Sequence, residues 1–265
     1  MTFEKTSGAH SAAFFDLDRT IIGGSSVFVL GWVAYRNDMM TTRQLLKDAA
    51  SAVAFKFAGA SDEKSAGVRD QILSSVEGVD VAELRVLGDD ILARLLDSVQ
   101  RESRGLIDLH HEAGRDTYIV SASPIEVIEE FAMEMGMTGA LGTVSEIVDG
   151  TYTGELAEPF CYGPGKVTAM EKVARERGYD LSRSYAYTDS ISDLPMLESV
   201  GYPVAVNPDR KLETIARARA WPIIEFNRTT KRVVKSTPAG LRAAALAAGT
   251  YVLGRRHGRT TVFGS

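Results

Sequence analysis

Phe14-Phe15-Asp16-Leu17-Asp18-Arg19-Thr20 is the stretch on which the fold turns. It closes an apolar run, Ala12 to Phe15, with aspartates at alternate positions, Asp16 and Asp18, and then Thr20. A short continuous apolar run reads as a strand buried on both faces of a parallel sheet. In open α/β sheets, ligands and chemistry collect at the carboxyl ends of the strands. Two carboxylates brought there repel each other and lose hydration, so opposite charge must compensate them. A divalent cation is the simplest compensator, and a phosphorylated substrate is the simplest reason to hold one. An acidic surface turn is the plainer alternative, and the rest of the chain has to separate the two.

Outward from this strand, further buried runs recur at Thr117 to Val120, Tyr185 to Thr188, Pro203 to Val206 and Pro222 to Glu225. Helical periodicity lies between them, roughly over Pro124 to Met135, Lys166 to Arg177, Leu194 to Val200 and Arg210 to Arg219. Strands alternating with helices imply right-handed crossovers, and hence an α/β fold: a Rossmann-like, three-layer parallel-sheet core. Thr143 to Leu156 differs, because two β-rich halves flank Asp149-Gly150, a strong hairpin signal. Between the first two strands sit about 80 residues with no convincing strand, far beyond a crossover of ~10–12 residues. Their periodic pieces run roughly over Ser25 to Arg36, Thr42 to Phe57, Ser61 to Ser75 and Val81 to Arg101. The expected organisation is an α/β core over residues 1–22 and 103–227, an inserted helical cap over 23–102, and a basic helical tail over 228–265.

Composition narrows the class. A chain of 265 residues, 45% hydrophobic, can bury a sizeable core. Cys161 is the single cysteine, which excludes a disulfide framework and a thiolate metal cluster and agrees with a reducing, cytoplasmic setting. Met1 to Ser11 carries no basic-then-apolar signal segment. The longest uncharged stretches, Thr20 to Tyr35 and Ala243 to Gly254, fall short of the ~18 apolar residues of a membrane span. His10, His110, His111 and His257 form no metal or Ser–His spacing and read as surface or packing residues.

Four separated segments carry the chemistry. Asp16 to Thr20 is the first. Val120-Ser121-Ala122-Ser123-Pro124 is the second: a strand runs into small hydroxyl residues, and proline opens a helix whose free N–H groups suit phosphate. In the third, Gly163-Pro164-Gly165-Lys166, a lysine sits in a first helical turn against the macrodipole preference, which a bound phosphate would explain. The fourth, Thr188 to Asp193, brings Asp189 and Asp193 to another strand end. Singly, each has a plainer reading: an N-cap serine, a solvated lysine, a turn aspartate, an N-cap aspartate. Together they point to a hard cation and a phosphate.

At these residues the chain resembles the haloacid dehalogenase-like hydrolases. Asp16-Leu-Asp-Arg-Thr20 matches the family's first motif, Asp-x-Asp-x-Thr; Ser121 matches the second, Lys166 the third, and Asp189 with Asp193 the acidic fourth. The insertion after the first motif is similar to the cap of the phosphoserine phosphatase-like branch. The resemblance implies a phosphatase acting on a small phosphorylated metabolite. Asp16 would be the nucleophile and Asp18 the general acid and then base. Mg²⁺ would be held by Asp16, the carbonyl of Asp18 and Asp189, with Asp193 and Thr20 in support. Ser121, the Ala122 backbone and Lys166 would take the phosphate oxygens.

Substrate identity is open at this level. Phosphoserine phosphatases usually carry a glutamate nine residues after the nucleophile, where this chain has Ser25, and often a serine where it has Arg19. A neutral hydroxyl pairs poorly with a buried ammonium group. Arg19, Ser25 and Phe28 are the candidate specificity residues, and the apolar positions from Val27 to Trp32 read as helix packing. Phosphoserine and a lysophospholipid-derived phosphate are the alternatives to another small phosphomonoester. A catalytically silent binding module on the same fold is the non-enzyme alternative. After Glu225 no acidic residue follows, so the tail carries +8 and the first 225 residues −13, against −5 for the whole chain. That tail reads as docking on the acidic main body, with weak peripheral contact to an anionic membrane as the rival. Nucleic acid is not expected as a partner, since no aromatic interleaving accompanies the charges.

Overall fold

The computed structural model describes residues 10–37, 67, 69, 70, 73 and 77–226. The helix expected over 42–57, most of the piece expected over 61–75, and the basic tail lie outside the described residues.

The strands are β1 (Ala12–Asp16), β2 (Asp116–Pro124), β3 (Gly139–Thr143), β4 (Ser145–Val148), β5 (Thr151–Leu156), β6 (Tyr185–Thr188), β7 (Tyr202–Val206) and β8 (Ile223–Ile224). The described helices are α1 (Ser26–Arg36), α2 (Val81–Val86), α3 (Gly88–Asp97), α4 (Arg101–Glu112), α5 (Ile125–Glu134), α6 (Pro164–Arg177), α7 (Leu194–Glu198) and α8 (Arg210–Ala218). Six strands form one sheet in the order β3-β2-β1-β6-β7-β8, and every neighbouring pair is parallel. β4 and β5 form the expected hairpin, and Asp149 and Gly150 both take positive φ in its two-residue turn.

β1 is apolar from Ala12 to Phe15 because both of its faces are covered. Phe14 stacks on Tyr118 on one side, with ring centroids 5.8 Å apart, and Phe15 stacks on Tyr187 on the other at 4.5 Å. Burying each such ring stabilises the sheet by roughly 1.5–3 kcal/mol. The chain winds from β1 through β2 to β3, then crosses back to place β6 on the other side of β1. Strand order therefore reverses between β1 and β6, and a crevice opens there at the carboxyl ends.

Two elements escape the sequence pattern. β3, Gly-Ala-Leu-Gly-Thr, lacks the branched and aromatic residues that mark strands, and it forms because β2 offers it a parallel edge. α4 follows α3 after a short break at Ser98–Gln100 and returns the chain to β2.

His110 on α4 is a packing residue, 3% exposed. Its Nδ1 accepts from Arg115 Nε at 2.7 Å, so Nε2 carries the proton and donates to the Tyr187 hydroxyl at 2.8 Å. Burial, helped by the charge of Arg115, pushes its pKa down to about 3 from 6.5. The unfolded chain takes up this proton near pH 6.5 and the folded chain does not, so the contribution to stability is lost as pH falls through that window. Between pH 7 and 5 that loss is expected to be about 2 kcal/mol. In urea unfolding, His110→Phe should lack this component of the pH dependence. An equal slope in both proteins would contradict the buried neutral imidazole.

Candidate active site

Strand register assembles the site. Asp16 ends β1 level with Val120, so Ser121 is the next residue out on β2. On the other side Phe15 pairs with Tyr187, which brings Thr188 and then Asp189 alongside Asp16. Residues more than a hundred positions apart thus meet at one end of the sheet.

Lys166 is the hub. Its Nζ donates to Asp16 Oδ1 at 2.6 Å and to Asp193 Oδ2 at 2.8 Å, and the residue is 3% exposed. Gly165 makes this reach feasible, since a Cβ there would lie 1.8 Å from the carbonyl oxygen of Phe160. α6 therefore starts close against the preceding loop and drops its lysine into the crevice. Thr188 Oγ1 donates to the same Asp193 oxygen at 2.8 Å, while Thr20 Oγ1 donates to Asp16 Oδ2 at 3.3 Å. Asp193 does not cap α7 with its side chain; the ammonium has taken it instead.

Asp189 faces the Arg19 guanidinium, with Nη1 2.9 Å from Oδ2. The approach lacks hydrogen-bond alignment, and both Asp189 Oδ2 and Asp193 Oδ1 are buried with no hydrogen-bond donor. Arg19 holds a left-handed backbone, φ 62°, which folds the chain after β1 back over the crevice. Such a conformation in a non-glycine residue costs roughly 1–3 kcal/mol and clusters at functional sites.

Charge is crowded here. Burial, with the charges of Asp193 and Asp18, raises the Asp16 carboxyl to about 7 although Lys166 pulls it down. Burial and the charge of Asp16 raise Asp189 to about 8 against the pull of Arg19. Burial raises Asp18 too, and hydrogen bonds from Ser26 and Ser25 oppose it. Burial disfavours the Lys166 ammonium, but Asp16 and Asp193 together outweigh it and hold the lysine charged. Four carboxylic acids thus crowd two cationic side chains, and ionising all four would leave a negative surplus.

The second segment departs from a plain strand end. From Val120 to Pro124 β2 advances four residues while β3 advances from Leu141 to Thr143, so the segment between them bulges out of register. Bulges re-aim side chains beside active sites. Here Ser123 N donates to Ser121 Oγ at 3.1 Å, the two hydroxyls lie 3.1 Å apart, and Thr143 Oγ1 holds the Ala122 carbonyl at 2.7 Å. Ser121 and Ser123 are both buried.

Asp18 sits where the core passes into α1. Its Oδ2 accepts from Ser25 Oγ at 2.9 Å and its Oδ1 from Ser26 N at 2.8 Å. Phe28, by contrast, lies 45% exposed on α1 with Val27 and Trp32, so the packing expected of these three is not what the structure shows. Burial pushes the Cys161 thiol up to about 12, which leaves it inert as a nucleophile.

Two contributors, Gln100 and Ser103, gave no sequence signal of their own, and a third, Asp209, gave only part of one. Gln100 Nε2 donates to the carbonyls of Arg19 and Thr20 at 3.2 and 3.0 Å, and Ser103 Oγ to the Thr20 carbonyl at 2.6 Å, so the start of α4 braces the loop after β1. Asp209 caps α8 with Oδ1 and receives Ile191 N on Oδ2 at 2.8 Å, steadying the loop that carries Asp189 and Asp193. An N-cap pattern was readable at Asp209, but its second bond was not.

Sheet and crevice define an open parallel α/β fold with a carboxylate-rich centre at the carboxyl ends of its strands. Comparison with known proteins makes this specific. The haloacid dehalogenase-like hydrolase pattern matches residues 13–198. A protein of Mycobacterium tuberculosis named as a probable phosphatase is 37% identical over 260 residues, covering 94% of this chain and 90% of its own length. A second protein of that organism, named phosphoserine phosphatase, is 36% identical over 249 residues, covering 93% and 80%. A solved phosphoserine phosphatase carrying a phospho-aspartyl intermediate analogue superposes with a TM-score of 0.59 over 83% of this chain and 95% of its own, at 15% identity, a likeness of fold. The chain belongs to the haloacid dehalogenase-like hydrolases, in their phosphoserine phosphatase-like branch. It is an enzyme of the phosphatase class. No helix among the described residues is long and apolar enough to cross a membrane.

Proposed function

We propose that the chain is a magnesium-dependent phosphatase that hydrolyses a small phosphomonoester through an aspartyl-phosphate on Asp16. One observation carries this reading: a buried surplus of carboxylates around Lys166, two of whose oxygens, Asp189 Oδ2 and Asp193 Oδ1, have no hydrogen-bond donor. Hard oxygen donors of this kind, with Asp193 Oδ1 uncommitted and Asp189 Oδ2 held only by the charge of Arg19, fit Mg²⁺, which binds through one or two carboxylates together with substrate phosphate. Among the described residues no three acidic, histidine or cysteine side chains form a ready-made metal cage. The proposed holders are accordingly Asp16, Asp189 and the main-chain carbonyl of Asp18, with Asp193 orienting them. When bound, the ion would supply charge that keeps Asp16 ionised and lessens its repulsion from an anionic substrate.

The remaining chemistry belongs to the chain. Asp16 attacks phosphorus as the bond to the leaving oxygen breaks, and Asp18 gives that oxygen its proton. Asp18 then takes a proton from the water that attacks the aspartyl-phosphate, which releases inorganic phosphate and restores Asp16. Ser121, the Ala122 N–H and Lys166 bind the phosphoryl oxygens and offset the charge of the transition state. Residues 23–102 act as a cap that shields the reaction from bulk water.

Phosphoserine is the second reading, favoured by the name of the 36%-identical relative. Against it, the hydroxyl of Ser25 is already donated to Asp18 and supplies no negative charge for an ammonium group. The deciding experiment is a panel of nitrophenyl phosphate, phosphoserine, sugar phosphates and lysophospholipids, with magnesium and with chelator. Hydrolysis should appear only with magnesium and return when the ion is restored. Equal turnover in chelator would overturn the proposal.

A further inference from the structure

We infer that Ser25 is a positioning residue that aims Asp18, the proposed acid, at the leaving oxygen. The inference rests on the phosphatase reading above. Ser25 occupies the N-cap position of α1 with extended backbone, φ −119° and ψ 131°, the geometry in which a serine hydroxyl normally accepts a first-turn N–H. It makes no such bond. Its hydroxyl is diverted to Asp18 Oδ2 at 2.9 Å, and Asp18 Oδ1 receives the first-turn N–H of Ser26 at 2.8 Å in its place. The start of α1 is itself fixed to the core, because Ser26 Oγ lies 2.8 Å from Ser123 Oγ beside Ser121. Asp18 is therefore gripped on both oxygens by one rigid turn.

The two grips are not equivalent. An amide N–H can only donate, so Oδ1 must remain an acceptor. A hydroxyl can donate or accept by rotating, so Oδ2, beside Ser25, is the oxygen able to carry the transferable proton. In the first step the Asp16–phosphorus bond forms and the bond to the leaving oxygen breaks. The electron pair stays on that oxygen, which takes the proton from Asp18 Oδ2. Ser25 then donates to the carboxylate so formed, as it does in the structure. Stabilising that carboxylate favours the transfer, by the factor of ~10–100 that a hydrogen bond to a charged group is worth.

The test compares Ser25→Val with Ser25→Thr, which match in shape and differ in the hydroxyl, reading kcat/KM because it covers only the steps up to leaving-group departure. Alkyl phosphates need the proton, whereas nitrophenolate departs without it. Ser25→Val should lose ~10–100-fold on alkyl phosphates and less than ~3-fold on nitrophenyl phosphate, with Ser25→Thr near the parent on both. Ser25→Ala, which removes the hydroxyl without adding bulk, should show the same split. Equal losses on both esters, or no loss on either, would overturn the role of Ser25 and leave the phosphatase reading standing. A parent chain inactive on both esters would instead overturn that reading.

Discussion

Asp16→Asn should lose at least ~10³-fold in kcat on every substrate and form no acid-stable phosphoenzyme, while its melting temperature stays level or rises. The amide keeps the shape of the side chain and one oxygen that can accept from Lys166 in place of Oδ1, but it cannot attack phosphorus. The stability half of the prediction follows from the raised pKa. Burial holds the Asp16 carboxyl near 7, well above its ordinary 3.8, so the fold resists the very charge that the chemistry requires. The unfolded chain ionises near 3.8, so this group costs stability as pH rises from there towards 7, and the asparagine removes that cost. Acid-quenched labelling with radioactive substrate, beside a thermal melt, reads both halves. Retained turnover would remove Asp16 as nucleophile.

Lys166→Met should be the most damaging single change to the folded chain. The thioether matches the lysine stem but leaves Asp16 and Asp193 facing each other in a buried site without their shared cation. Removing one partner of a buried ion pair costs about 3–5 kcal/mol. Loss of a preorganised positive group at the transferring phosphoryl should cost a further ~10²-fold or more in kcat. The stability loss should shrink at low pH, where the carboxylates protonate, and in excess magnesium, which would bind the surplus charge. Thermal melts at pH 8 and pH 5, with and without magnesium, check all three. An unchanged melt at pH 8 without magnesium would mean that this ion pair does not hold the crevice together.

How far such a site can be foreseen depends on how local its cause is. The acidic strand end, the hydroxyl-rich second segment, Lys166 and the Asp189–Asp193 pair each stand in a short stretch whose neighbours explain it. Their strand-and-helix setting is visible as apolar runs and periodicity. β3 was hidden because Gly-Ala-Leu-Gly-Thr has no intrinsic strand preference and pairs only where β2 already waits. Gln100 and Ser103 were hidden because their function is to hold main-chain carbonyls some 80 positions away, which imposes no pattern on their own surroundings.

Ser25 shows the division most clearly. Its place just ahead of an apolar helical run marks a helix start, and the departure from an acidic residue marks a change in what the position can bind. That its hydroxyl turns away from the helix to Asp18 emerges only when the chain closes on itself, because the N-cap and the carboxylate compete for one rotatable group and geometry picks the winner. Chemistry-bearing residue types and the α/β alternation are local consequences of composition and spacing. Which acids share Lys166 and which oxygens stay unsatisfied follow from strand register, and register is set by long-range packing.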